Sequence, residues 1–202
     1  MLEAVDLDCE RGGKVLFRRL SFALRAGELL RVAGANGSGK TSLLRILCGL
    51  LAPARGAVRW QGDDIRELRE DFSTRLVYLG HAPAIKDELS AAENLAVACR
   101  IAGSDPSAEE IEAALERFGL PGAGIFVKKL SQGQRRRAAL ARLLLSGSCP
   151  LWLLDEPFAA LDAAAARTVE ELVSGQVARG GVVIYTTHQE SRIEGRVISL
   201  DA

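Results

Sequence analysis

The sequence predicts an α/β fold with a mixed, mainly parallel sheet at its core, a small antiparallel β layer and an inserted α-helical lobe. Short apolar strand patterns alternate with helix patterns over most of the chain, which is typical of a parallel sheet with helices on both faces. Two strand patterns near the start have turn residues between them. From about residue 90 to 118 the pattern is only helical. The 202 residues fit one domain, with a core at 1–81 and 129–202 and the lobe at 82–128.

The strand-like and helix-like segments follow one another in a clear order. The strand patterns are LEAVDLDC, GAVRWQG, ELLRVAG (28–34), LWLLDE and VVIYTTH, and the helix patterns include GKTSLLRILCGL and AALDAAAARTVEEL with Asp162 as its N-cap. In the lobe, Ser90 with Glu93 and Ser107 with Glu110 have the spacing of capping boxes. The apolar face of the second lobe helix is Ile111, Leu115 and Phe118, and Gly119 follows as a stop.

Composition excludes several classes of function. The chain has 26 Lys and Arg against 26 Asp and Glu, so no overall positive field favours nucleic acid as a partner. The four cysteines are scattered and form no CxxC pair, which disfavours a zinc site and favours reduced, packed thiols. The N-terminal stretch is interrupted by acids, so we expect no signal peptide. No apolar run approaches the roughly 20 residues that a membrane span needs.

The most specific motif is GANGSGKT, Gly34 to Thr41, which matches the phosphate-binding loop GxxxxGK[ST] between a strand and a helix. Its glycines let backbone N–H groups surround phosphates, and the helix dipole favours anions there. We expect Lys40 to reach the β and γ phosphates and the Thr41 hydroxyl to bind Mg²⁺. The alternative is a glycine-rich turn that matches by chance. The predicted phosphate-binding residues are Gly34, Asn36, Gly37, Ser38, Gly39, Lys40, Thr41 and Ser42.

Two adjacent acids end the apolar strand pattern LWLLDEP. Ligands of open α/β sheets bind at the carboxyl ends of the strands. We therefore expect Asp155 to help hold Mg²⁺ and Glu156 to orient and deprotonate an attacking water. Adjacent acids at a strand end could simply be solvated, but beside a phosphate loop they favour a hydrolytic site.

The order of motifs resembles the ATP-binding cassette (ABC) ATPases over nearly the whole chain. LSQGQ, which begins at Leu130, is similar to the family signature LSGGQ, with Gln132 in place of a glycine. AALD resembles the loop that crosses the dimer interface, and TTH ends at a histidine like the family's switch histidine. On residues alone, LSQGQ is equally a serine-capped helix and the final histidine an ordinary loop residue.

The resemblance implies a homodimer that closes head to tail on two ATP molecules, each with Mg²⁺. Ser131, Gly133 and Gln134 would bind the γ-phosphate held by the second copy, with Asp162 at the interface. His188 would contact the γ-phosphate and help to place the water and Glu156.

Three positions depart from the family pattern. Where an aromatic residue usually stacks on adenine the chain has Arg11, and Phe17 is the other candidate. The run Arg135 to Arg137 is expected to be a solvated helix face. His81 stands where the family has a glutamine that reaches Mg²⁺ and the water; an imidazole can hydrogen-bond there and can also titrate near neutral pH. We include His81 with Glu156 and His188 as a catalytic candidate.

Three less specific sequence segments resemble one branch of the family, the ATP-binding subunits of the cytochrome c maturation (haem) exporter. They are GHAPAIKDELSAAENL, LFRRLSFALRAGELL and TTHQ. This implies membrane-embedded transporter subunits as partners, a peripheral position on the cytoplasmic face of the bacterial inner membrane, and no nucleic acid. The alternatives are an ABC ATPase for another exported substrate, and a cassette without transport that acts on ribosomes or DNA. A small-molecule kinase would share the phosphate loop but would not need LSQGQ, AALD or the final histidine.

Overall fold

The computed structural model describes residues 1–120, 122, 124–188 and 193–200, and two sheets organise them. The first sheet is antiparallel, in the spatial order β2-β1-β4-β5. Its strands are β1 (Leu2–Arg11), β2 (Lys14–Leu24), β4 (Arg55–Trp60) and β5 (Asp63–Asp64). This confirms the predicted antiparallel layer. Strand β1, which LEAVDLDC predicted as a short strand, has 10 residues, and β2, with 11 residues, was not among the predicted strand patterns.

The second sheet has five strands, in the order β6-β7-β8-β3-β9. They are β3 (Leu29–Ala33), β6 (Leu76–Leu79), β7 (Leu151–Asp155), β8 (Val182–Thr186) and β9 (Arg196–Ser199). Every neighbouring pair is parallel, which confirms the predicted core. Strand β9 was not predicted, because it is an edge strand that is largely exposed and has no continuous apolar run.

The helices lie between and beside these strands. They are α1 (Lys40–Leu47), α2 (Ile65–Leu68), α3 (Glu70–Ser73), α4 (Ala91–Ile101), α5 (Ala108–Arg117), α6 (Gln132–Leu140) and α7 (Ala163–Ala178), with 3₁₀ turns at Val127–Lys129 and Ala141–Leu145. Within the described part of the chain, none of them has the length and apolar character that crossing a bilayer requires.

Both capping boxes in the lobe are confirmed. The N–H of Glu93 donates to Ser90 Oγ (3.1 Å) and the N–H of Ser90 donates to Glu93 Oε2 (2.7 Å). Ser107 and Glu110 form the same pair of bonds at 3.2 and 2.8 Å. These bonds satisfy N–H groups at the starts of α4 and α5 that have no partner within their helices.

The parallel sheet is packed on both faces. Successive residues of β7 alternate between two apolar clusters: Leu151 and Leu153 face α1 and the antiparallel sheet, whereas Trp152 and Leu154 face α4 to α7. Helices therefore cover one face, and a helix together with the antiparallel sheet covers the other. Burial on both sides explains the uninterrupted apolar run in the sequence of β7.

We expect Ser107→Ala to lower the free energy of unfolding by about 1 kcal/mol, because it removes the side-chain acceptor at the start of α5. Urea unfolding followed by circular dichroism measures the change. Ser174→Ala, at an exposed position inside α7, is the matched control and should not lower the free energy of unfolding. Equal losses in the two variants would contradict the capping role.

Candidate functional site

A cleft of about 360 Å³ opens at the carboxyl edge of the parallel sheet. It is lined by Leu16, Asn36, Gly37, Gly39, Lys40, Thr41, Ser42, His81, Asp155, Glu156 and His188. These residues come from the ends of β3, β6, β7 and β8 and from β2, and parallel strands place such ends together. The cleft thus unites most of the predicted site residues. Gly34 and Ser38 belong to the same loop but do not line the cleft, and Leu16 was not predicted.

The loop before α1 has a backbone that favours glycine. Gly37 and Gly39 have φ values of 83° and 106°, in the left-handed region that L-residues rarely adopt. A Cβ on Gly39 would lie 3.1 Å from Leu16 Cβ and 3.2 Å from Phe17 Cδ1. Gly39 is the N-cap of α1, so the free N–H groups of that helix lie at the cleft. This end of α1 is suited to an anion.

Lys40 begins α1 and is only 8% exposed. Its Nζ donates to the carbonyl oxygens of Gly34 (2.7 Å) and Ala35 (3.1 Å), at the start of the same loop. The ammonium group is therefore held over the loop and lines the cleft. A buried cation in this position favours a negatively charged ligand.

Asp155 is 1% exposed and each of its carboxylate oxygens accepts a hydroxyl. Thr41 Oγ1 donates to Oδ2 at 2.8 Å, and Thr186 Oγ1 donates to Oδ1 at 2.8 Å. Thr186 was missed by the sequence analysis. Its position at the end of β8, one strand over from the acids, is the signal that could have found it.

Glu156 lies in a strained backbone conformation, with a φ of 51°. Such a conformation costs of the order of 1 kcal/mol or more in a residue other than glycine. Its N–H donates to Thr186 Oγ1 (2.9 Å), and its Oε2 lies 3.0 Å from His188 Nδ1 and accepts the backbone N–H of His188 (3.3 Å). The carboxylate is therefore oriented by the histidine within the cleft.

His81 lines the cleft and is exposed, opposite the phosphate loop residues. Its backbone carbonyl accepts a hydrogen bond from Arg136 Nη1 at 3.2 Å. The expectation of a solvated face for Arg135 to Arg137 is wrong at Arg136, which is 5% exposed. It points under the cleft, where main-chain carbonyls surround its guanidinium group.

The signature residues lie outside the cleft, at the start of α6. Ser131 Oγ accepts the N–H of Gln134 (3.3 Å), and Gln134 Oε1 accepts the N–H of Ser131 (2.8 Å), so Ser131 is a helix cap. Ser131 is exposed, while Gly133 and Gln134 are partly exposed. None of the three lines the cleft of its own chain.

Asp162 is the N-cap of α7, as predicted. Its carboxylate accepts the N–H of Ala165 (2.8 Å) and lies 3.6 Å from Arg137 Nη1. The N–H of Ala165, followed by the charge of Arg137, holds the pKa of Asp162 below its ordinary value. Asp162, like the signature residues, does not line the cleft.

Neither candidate for adenine stacking lines the cleft. Phe17 is buried in the core, where its ring packs beside Gly39: a Cβ built on Gly39 would lie 3.2 Å from Phe17 Cδ1. Arg11 is exposed at the end of β1. Leu16 is the apolar side chain that borders the cleft on this side.

The donor set fits Mg²⁺. The Thr41 hydroxyl and the Asp155 carboxylate place hard oxygen donors within 2.8 Å of each other beside the phosphate loop, and Mg²⁺ binds one or two protein oxygens together with substrate phosphates and water. In the described residues, no group of three or more His, Cys, Asp and Glu could hold a metal by itself. A metal here would therefore depend on phosphate oxygens for its remaining ligands.

Comparison with known proteins gives the chain a family context. The model of the ABC transporter family matches residues 17–159. The "Cytochrome c biogenesis ATP-binding export protein CcmA" of Nitrosospira multiformis is 48% identical over 198 residues, which cover 98% of this chain and 96% of that protein. The protein of the same name from Aromatoleum aromaticum is 52% identical over 192 residues, covering 95% and 90%.

The fold also matches solved structures. A dimeric bacterial ABC transporter cassette superimposes with a TM-score of 0.86 over all of this chain and 94% of its own, at 22% identity. This likeness confirms the predicted fold class. The feature TTHQ extends to Gln189, which lies outside the described residues.

We expect Thr186→Val to destabilise the protein by about 1–3 kcal/mol, because it leaves the N–H of Glu156 and one oxygen of buried Asp155 without the hydroxyl. Thr186→Ser keeps the hydroxyl and should retain most of the stability. Thr168→Val is the control, since the Thr168 hydroxyl bonds only to a carbonyl of its own helix. Urea unfolding of the three variants measures this, and a Val variant as stable as the Ser variant would contradict it.

Proposed function

The chain belongs to the ABC transporter family, and from this premise we propose that it is the ATP-hydrolysing subunit of the exporter that serves cytochrome c biogenesis. As a member of this family it binds and hydrolyses ATP. The observation that carries the proposal is the cleft, which brings Lys40, Thr41, Asp155, Glu156 and His188 together from three separate segments. The assignment to cytochrome c biogenesis rests on the relatives of that name, which match almost the whole chain.

In this proposal the phosphate loop and the start of α1 bind the phosphates of ATP. The N–H groups at the start of α1 donate to phosphate oxygens, and the ammonium of Lys40 turns from the carbonyls of Gly34 and Ala35 to the β and γ phosphates. Thr41 and Asp155 would hold Mg²⁺, which when bound neutralises charge that develops on the phosphates. Thr186 keeps Asp155 in the orientation that this requires.

Hydrolysis needs a base beside the γ-phosphate, and Glu156 is the carboxylate in that place. It accepts a proton from water as the water oxygen bonds to the γ-phosphorus, and the bond to the bridging oxygen of ADP breaks. His188 lies 3.0 Å from Glu156 Oε2 and holds the carboxylate, and it would also contact the γ-phosphate. Both roles depend on the position that the Glu156 side chain takes in the cleft.

A second copy completes the site in this proposal. Ser131, Gly133 and Gln134 lie away from their own cleft and remain accessible at the start of α6, so they are free to meet the γ-phosphate of another copy. The dimeric cassette with the same fold supports this arrangement. Asp162, exposed at the start of α7, would then lie at the interface between the copies.

The partners in the membrane would be the transporter subunits of the cytochrome c maturation system, with the ATPase bound to the cytoplasmic face of the inner membrane. The relatives' description as export proteins supports this. We also propose a core of residues 1–81 and 129–202 and a lobe of residues 82–128 as its functional parts, with His81 at their junction. His81 would transmit partner movement to the water and Glu156.

Glu156→Gln should bind ATP normally and lose nearly all hydrolysis, because the amide keeps the shape of the side chain and cannot accept the proton. Nucleotide affinity and phosphate release by the purified protein measure the two effects. Glu112→Gln, at an exposed position on α5, is the matched control. Turnover near wild type in Glu156→Gln would mean that another group is the base.

His81→Ala should bind ATP almost normally, since Lys40 and the loop supply the phosphate contacts, yet lose haem attachment to cytochrome c more severely than basal hydrolysis. His81→Gln should keep much of both, because an amide makes similar hydrogen bonds. The measurements are ATP turnover of the reconstituted complex and haem attachment in cells at equal protein level. Normal haem attachment in His81→Ala would show that its side chain has no coupling role.

The partners are tested by capture of the protein from detergent-solubilised membranes. Recovery of membrane subunits with a haem absorbance spectrum supports the exporter. Recovery of ribosomes without membrane subunits would contradict it and favour a cassette that does not transport.

A further inference from the structure

Arg136 makes an unusual set of contacts beneath the cleft. Its Nη1 donates to the carbonyl oxygens of Gly80 (2.8 Å) and His81 (3.2 Å), and its Nη2 donates to those of Asp155 and Glu156 (both 2.8 Å). All four acceptors are main-chain groups. They belong to the segment after β6 and to the end of β7, so one side chain from α6 joins two segments of the site.

The shape of the guanidinium group suits this task. Its two terminal nitrogens diverge in a planar fork with fixed geometry, so each can hold one pair of carbonyls. A lysine offers its three donors from a single point. The group is 5% exposed, and burial lowers the pKa of Arg136 from its usual value, while the charges of Asp155 and Glu156 oppose that effect. Burying a cation is costly unless polar groups compensate it. Here four carbonyl oxygens accept from the two terminal nitrogens, while Nε has no partner among the described residues.

The hydrogen bonds from Arg136 to the end of β7 flank the strained residue, Glu156. The carbonyls of Asp155 and Glu156 belong to the peptide groups on either side of the Glu156 Cα, whose φ is 51°. Fixing both peptide groups fixes the direction in which the Glu156 side chain leaves the backbone. That direction places Oε2 3.0 Å from His188 Nδ1. A small rotation at this residue would move the carboxylate within the cleft.

We propose that Arg136 is a positioning residue for hydrolysis, which ties the backbone at His81 to the backbone of Glu156 so that movement of either one displaces the other. The inference rests on the proposed function, in which Glu156 is the base and His81 transmits movement of the membrane partner. Arg136 does not line the phosphate cleft, and its guanidinium group donates to the four carbonyls instead. It acts through Glu156.

A purely structural role of Arg136 would change different measured quantities. If Arg136 served only to stabilise the fold, its loss would reduce the amount of folded protein, and ATP affinity and turnover per folded molecule would be unchanged or would fall together. A positioning role predicts a loss of kcat with retained ATP affinity, since the contacts of Lys40 and the phosphate loop do not involve Arg136.

The test compares Arg136→Met, Arg136→Lys and Arg135→Met in the full chain. Arg136→Met keeps length and removes every donor, and should lower kcat by about 10–100-fold, as misplacement of a catalytic group does, with ATP affinity within about twofold of wild type. Arg136→Lys should lie between, because an ammonium reaches only one pair of carbonyls. Arg135→Met is the matched control, since Arg135 contacts Asp87 and the Leu130 carbonyl rather than the site.

A double-mutant cycle with Glu156→Gln further separates a positioning role of Arg136 from a purely structural one. If Arg136 acts through Glu156, adding Arg136→Met to Glu156→Gln should change the residual turnover by less than about twofold, because coupled positions are not additive. Thermal unfolding is measured for each variant, and if Arg136→Met does not fold, the same cycle is run with Arg136→Lys.

The outcomes distinguish the inference from the function on which it rests. If the wild-type protein does not hydrolyse ATP, alone or with its membrane partners, while Lys40→Ala binds ATP as well as wild type does, the proposed function fails and the inference fails with it. If wild type hydrolyses ATP and Arg136→Met retains its kcat, loses ATP affinity in parallel, or adds fully to Glu156→Gln, the function stands and the positioning role is overturned.

Discussion

The carboxylate of Asp155 is the group on which the arrangement of the site depends. It is almost fully buried, and an isolated carboxylate in that position would be strongly unfavourable. Two hydroxyls satisfy it, one from Thr41 on α1 and one from Thr186 on β8, which lie 114 and 31 residues away in the chain. The phosphate loop, the acidic strand end and the end of β8 are therefore fixed relative to one another by a single side chain.

The distribution of buried charge follows from the same constraint. Among the described residues, the buried charged side chains are Lys40, Arg136 and Asp155, and all three belong to or adjoin the cleft. Of these three, Lys40 and Asp155 line the cleft, where the cation of Lys40 favours a polyphosphate and two hydroxyls satisfy Asp155. Elsewhere the apolar clusters on both faces of the sheet exclude charge, so the buried charged side chains of the described residues lie at or beside the cleft.

Sequence reasoning reached the parts of the site that adjacent residues form. Lys40 and Thr41 follow their glycines in one motif, and Asp155 and Glu156 follow one apolar strand, so spacing alone predicts their chemistry. Thr186 and Arg136 were missed because their roles depend on contacts across the fold. The partners of Arg136 are backbone carbonyls, which no residue type marks, and a run of three arginines is most often a solvated surface. The edge strand β9 was missed because its residues lack a buried, apolar pattern.

Helix α6 has a special position in this architecture, because neighbouring residues on it contact different parts of the site. Its N-cap, Ser131, is exposed, Arg136 donates to the backbone carbonyl of Glu156, and Arg137 lies 3.6 Å from Asp162 at the start of α7. The helix has 9 residues, and its backbone hydrogen bonds join each turn to the next. If Ser131 contacts a nucleotide on another copy as proposed, one short helix joins that contact to the backbone of Glu156. Such a link would make the geometry of the two sites in a dimer interdependent without any contact between the Glu156 side chains of the two copies.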